Sequence, residues 1–147
     1  MTALFAGTAL AGNQVTFKGS WASVETYEVQ FPILFVNGTA TGNATQVGRY
    51  TATYEEQVDI GINFGSSVGA ITVVAANGDS IFATQTGQGD PTPDPNIISI
   101  VEVSTITGGT GRFAGATGTF TIERVVDQTT GISSGSFNGT ISSPGIH

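Results

Sequence analysis

Four residues carry the chemistry this sequence offers: Glu25, Glu56, Glu102 and Arg124. Each is a charged side chain in a run whose residues alternate between two faces, and each falls on the apolar face. In the stretch 48–60 one face is Tyr50, Ala52, Tyr54, Glu56, Val58 and Ile60, while Arg49, Thr51, Thr53, Glu55, Gln57 and Asp59 share the wet face. Arg124 shares a face with Phe120, Ile122 and Val126, and Glu102 with Ile98, Ile100 and Ile106. Glu25 falls with Trp21, Tyr27, Val29 and Phe31, whereas Glu28 lies on the opposite face. A charge buried alone costs several kcal/mol, so such groups must pair, bind water or change protonation. Arg124 with some of Glu25, Glu56 and Glu102, lined by Tyr54, would make a polar site in an apolar cup. That suits a small-ligand pocket or a general acid/base. A structural ion pair, or a bulge that turns one residue outward, accounts for the same pattern.

The pattern stands out because charge is sparse. The chain has 147 residues, with eleven carboxylates, four cations and a net charge of −7. Lys18, Arg49, Arg112 and Arg124 cannot neutralise a run of phosphates, which argues against nucleic acid as a partner. The same deficit argues against anionic membrane surfaces. No run approaches the ~20 apolar residues of a membrane-spanning helix, so no membrane insertion is expected. The absence of Cys removes disulfides and thiolate metal sites, and the only His is His147, which removes a hydrolase triad. Asp90 and Asp94 match no calcium-loop spacing, so neither a metal nor an organic cofactor is implied.

The elements that must position these residues are strands. With 21 Gly, abundant Thr and 39% apolar residues, the composition favours β-strands and tight turns in one domain spanning 1–147. Strands are expected at 14–30, 34–42, 48–60, 68–76, 79–88, 97–107, 117–126 and 131–142, with little or no helix. Asn77-Gly78 marks a hairpin and 127–131 the last hairpin loop. Residues 87–96, with three prolines, read as the one long loop, barred from a ladder. Eight strands adjacent in sequence close naturally into an antiparallel up-and-down barrel. The mildly apolar stretch 4–12 reads either as the tail of a secretory signal or as a first segment packed loosely on the barrel.

The most distinctive segment runs from Thr107 to Gly118: Thr-Gly-Gly-Thr-Gly-Arg-Phe-Ala-Gly-Ala-Thr-Gly. A dinucleotide-binding reading fails because a strand, not a helix, follows the glycines. The segment reads instead as a wide reversal between strands, with Phe113 plugging the barrel end. It resembles the Gly-Gly-x-Gly-x-Phe turn of the allene oxide cyclase-like barrels, to which plant dirigent proteins are more distantly similar. The resemblance spans about 15–142. It implies an eight-stranded barrel, usually trimeric, whose hydrophobic lumen cyclises an unsaturated fatty-acid epoxide without a cofactor. Tyr27-Glu28-Val29-Gln30 is similar to a first-strand Tyr-Glu-x-Asn in the plant cyclases. This implies Glu28 as the catalytic carboxylate, with Gln30 where the family carries a water-holding Asn. Alternation favours Glu25 as the carboxylate among the large aromatics, unless those aromatics face a subunit interface.

Two functions follow. One is a barrel that binds, isomerises or cyclises a small apolar molecule. The other is a structural module that self-associates through its strand faces; abundant Thr, Gly, Ser and Asn with few Lys suit an extracellular or periplasmic surface. The lumen separates them. Packed solid by Phe17, Phe35, Phe64, Phe82, Phe113 and Phe120, it is only a core; hollow, with a carboxylate at its wall, it is a site.

Overall fold

The computed structural model describes residues 13–146. Eight antiparallel strands follow one another round a closed barrel. They are β1 (Val15–Gln30), β2 (Ile33–Ala44), β3 (Gly48–Asp59), β4 (Ser66–Val74), β5 (Ser80–Pro91), β6 (Ile97–Gly109), β7 (Thr117–Asp127) and β8 (Ile132–Ser142). The long first strand closes the ring. Its first part pairs with β8, from Val15↔Ile141 to Val24↔Ile132, while it pairs with β2 as far as Gln30↔Ile33. Closure pairs both edges of the sheet, so among the described residues no edge strand is left open. The only helix among the described residues is a single 3-10 turn, Gly111–Phe113, inside the glycine-rich reversal. Among the described residues, no helix is long and apolar enough to cross a membrane.

One expected boundary is corrected. Residues 87–96 do not form a single loop, because β5 continues to Pro91 and pairs with β6 from Gly87↔Glu102 to Pro91↔Ile98. The residues before Pro91 all carry N–H groups for the ladder, and Pro91 ends the strand, where its missing donor breaks nothing. Only 92–96 turn, held by the Thr92 hydroxyl donating to the carbonyls of Asp94 and Ile97. The hairpin at Asn77-Gly78 forms as expected, with Gly78 at φ +93°. The N-terminal stretch 4–12 and His147 lie outside the described residues.

Alternation along the strands sorts the interior into three layers. At the end where β1 begins, Phe17, Phe120 and Phe137 pack with ring centroids 5.0–5.4 Å apart, and Phe113 covers them from the reversal. Such edge and tilted contacts suit aromatic quadrupoles. This end is a solid plug. Charged and hydroxylated side chains form the middle layer. The opposite end is lined by Leu34, Val36, Val58, Ile98, Ile100 and Val126, and it is open. Of the six phenylalanines that would make the lumen a solid core, only half are therefore interior. Phe17, Phe113 and Phe120 plug the barrel, whereas Phe64 and Phe82 are exposed and Phe35 is half-buried. Phe35 and Phe82 fall on the outward parity of their strands, next to inward Val36 and Ile81.

Candidate functional site

The middle layer is built around Arg124, which is 4% exposed. Its strand carries it inward between Ile122 and Val126. All five guanidinium N–H groups are used. Nε donates to Glu102 Oε1 at 2.9 Å, and Nη2 donates to Glu102 Oε2 at 3.0 Å and to Glu56 Oε1 at 3.2 Å. Nη1 donates to Glu25 Oε1 at 2.5 Å and to Ser133 Oγ at 3.1 Å. The guanidinium also lies 5.4 Å from the centroid of the Tyr54 ring. One cation on β7 thus binds carboxyl groups from β1, β3 and β6 and a serine from β8, tying five strands together across the lumen.

The surrounding hydroxyls complete the network. Tyr54 donates to Glu25 Oε1 at 2.9 Å and lies 3.0 Å from Ser23 Oγ, which accepts from the Trp21 indole at 3.1 Å. Ser67 donates to Glu56 Oε2 at 3.2 Å. Gln85 donates to Ser104 in the same interior, and its Oε1 is the one buried side-chain polar atom without a partner among the described residues.

The two halves of the network hold protons differently. Burial raises the pKa of Glu56 to about 9, helped by its hydrogen bond to Glu102 and the charges of Glu102 and Glu25, against the opposing pull of Arg124. Glu56 is therefore a neutral acid at pH 7. Burial also opposes ionisation of Glu102, but the hydrogen bonds from Glu56 and Arg124 outweigh it and hold its pKa below the ordinary value. The long Arg124–Glu56 contact and the short bidentate Arg124–Glu102 pair fit this division. Burial raises the pKa of Tyr54, leaving a protonated donor beside Glu25.

The open end leads down to this layer. A cavity of about 90 Å³ is walled by Leu34, Val36, Val58, Ile98, Ile100 and Val126, reached past Tyr27 and Phe64, and floored by Glu25, Glu56, Ser67 and Arg124. Glu56, held as a protonated acid, can donate at one face of the apolar-walled cavity, and the Glu25 carboxyl group beside it can accept a hydrogen bond. Glu102 is not on the cavity wall and acts through Arg124.

Of the residues singled out from sequence, the fold brings together Glu25, Tyr54, Glu56, Glu102 and Arg124. It does not bring in Glu28 or Gln30. Both lie exposed outside the lumen, with Gln30 donating to Glu28 Oε1 at 3.1 Å. Trp21 lies buried in the lumen, so the aromatic side of β1 faces inward, and Glu25 with it. The sequence reading missed Ser23, Ser67 and Ser133, since a serine on an inward parity looks like any other small residue.

It also missed what makes room for the large polar groups. Gly38 lies opposite Tyr54, Gly69 opposite Glu56, Gly87 opposite Glu102 and Gly135 opposite Arg124. A Cβ at Gly38 would run into the Tyr54 ring, and one at Gly87 would come within 3.0 Å of Glu102 Cγ. Each long side chain leans across the bare backbone of its neighbour.

Comparison of the chain with known protein families, curated proteins and solved structures finds no match.

Proposed function

We propose that this barrel binds a small apolar molecule in its open half. The observation that carries the reading is the apolar-walled cavity that ends on Glu25 and Glu56. At about 90 Å³ it is smaller than the ~300–1,000 Å³ typical of pockets for drug-sized ligands. It therefore suits a compact molecule or one end of a longer one. The wall contributes by burying apolar surface, and the floor orients whatever oxygen or nitrogen the molecule carries.

The same geometry supports cofactor-free isomerisation or cyclisation, the activity that the resemblance to allene oxide cyclase-like barrels implies. Glu56 would protonate an oxygen of the bound molecule, and Glu25 would stabilise positive charge developing nearby. The family's carboxylate role would then fall to Glu25 rather than to Glu28, which the lumen does not reach.

Calorimetric titration with 1-hexanol, paired with native mass spectrometry of the purified protein, tests the reading. One hexanol per chain, lost in the cavity-filling variant Gly89→Leu, supports it. Absence of saturable binding counts against it.

A second reading, self-association through the strand faces, draws on the outward valines Val101, Val103 and Val125 of β6 and β7, all exposed. Light scattering of the purified chain tests it. A trimer would fit both this face and the expected family assembly.

A further inference from the structure

We infer that the molecule taken by this cavity is an organic cation with an apolar body, such as an alkylammonium. The inference rests on the reading of the open half as a binding pocket and adds the sign of the ligand's charge.

The two barrel ends carry charges of opposite sign, while Glu55 and Glu123 lie mid-strand on the outer wall. Lys18 lies near the start of β1, Arg49 near the start of β3 and Arg112 in the turn before β7. All three are at the plugged end, where Asp79 is the one carboxylate side chain among the described residues. The mouth has no cation among the described residues. It is ringed by Glu28, Asp59, Asp90, Asp94 and Asp127, at the ends of the odd-numbered strands and in the β5–β6 turn. Asp59, Asp94 and Asp127 each accept a backbone N–H within their own turns, which fixes the carboxylates in place without cancelling their charge. A ring of one sign around a low-dielectric opening focuses the field into it.

The interior agrees. Among the described residues the only cation in the lumen is Arg124, and its five N–H groups are already spent on Glu25, Glu56, Glu102 and Ser133. An anionic head group entering the cavity would find no free cationic donor and would lose its water unpaid. Acceptors, by contrast, are in excess. Glu25, Glu102 and the protonated Glu56 share one guanidinium, and Glu25 and Glu56 present carboxyl oxygens at the cavity floor. Tyr27 and Phe64 also line the cavity, and aromatic rings attract organic cations. A fatty-acid carboxylate, the substrate type of the resembled cyclases, is the charge this site is built to refuse.

Three probes with one chain length separate the possibilities: hexylammonium, 1-hexanol and hexanoate, titrated at pH 7 into the full chain at low and high salt. Hexylammonium is expected to bind about tenfold or more tighter than hexanol at low salt, with the gap closing at high salt as the mouth field is screened. Hexanoate is expected to bind weakest. In the variant D59N/D90N, whose Asn side chains keep the local hydrogen bonds, the gap between hexylammonium and hexanol narrows. If hexanol or hexanoate binds as tightly as hexylammonium, the charge inference is overturned while the pocket stands. If none of the three binds, the pocket reading falls with it.

Discussion

Arg124 and Glu102 form a bidentate pair inside the barrel, Nε to Oε1 at 2.9 Å and Nη2 to Oε2 at 3.0 Å. This pair leaves one edge of the guanidinium to hold Glu25 and the tip of another N–H to hold Glu56. Glu102 thereby sets the orientation of Arg124, and Arg124 sets the two carboxyl groups that floor the cavity. The network needs its cation because three buried carboxyl groups share it.

Removing that cation is expected to be severe. Arg124→Met leaves buried carboxylates unpaired and should cost about 3–5 kcal/mol of stability at neutral pH, read by urea unfolding. The loss should be smaller at pH 5 than at pH 8, because the orphaned carboxylates regain protons in acid. Arg124→Lys should recover little, since three donors on one nitrogen cannot replace a five-donor fork.

Stability should fall as the pH rises. The folded chain holds the Glu56 proton up to about pH 9, while the unfolded chain releases it near the ordinary 4.5. Between those values the folded state binds more protons, so stability declines with increasing pH. Glu102 acts oppositely: its lowered pKa contributes stability that is lost as the pH falls through the acid range. Thermal midpoints should therefore peak in mild acid. Glu56→Gln, which keeps a donor toward Glu102, should flatten the alkaline decline and leave the acid side unchanged.

The cross-strand glycines should tolerate no side chain while their large partners are present. Gly38→Ala places a Cβ against the Tyr54 ring and should cost about 1–3 kcal/mol. Adding Tyr54→Leu should return part of that loss, so the double-mutant cycle shows a coupling of opposite sign to the single losses. An additive cycle would mean that Gly38 is not there to seat Tyr54.

Much of this architecture was legible in the sequence because one face of every strand is buried. That condition makes the two-residue period readable: it puts Glu56, Glu102 and Arg124 on the apolar faces, and it favours Glu25 over Glu28 while leaving a subunit interface as the alternative for that side of β1. Strand order was legible because each turn joins neighbours. Two kinds of fact were not. Which glycine faces Tyr54 depends on register, and no single strand contains the information that Gly38 and Tyr54 are opposite. Pro91 looked like a ladder breaker, but a strand's last residue needs no donor. Hydrophobicity alone leaves open which phenylalanines fill the lumen: Phe82 is placed outward by parity and Phe64 by the turn before β4.

Glu25 and Glu28 should separate cleanly in binding. Glu25→Gln alters the cavity floor and should weaken hexylammonium binding while costing about 1–3 kcal/mol through its contact with Arg124. Glu28→Gln lies on the outer wall and should change stability by less than about 0.5 kcal/mol. A stronger binding loss from Glu28 than from Glu25 would move the site out of the lumen.

The most direct test of the half-hollow barrel is methyl NMR of the Ile-, Leu- and Val-labelled chain during titration with 1-hexanol. Saturable shifts are expected at Leu34, Val36, Val58, Ile98, Ile100 and Val126, which wall the cavity. Ile81 and Ile141, buried toward the plugged end, should stay still. Shifts confined to the outward Val101, Val103 and Val125, or no saturable shift at all, would contradict a binding lumen and leave the interior as a core alone.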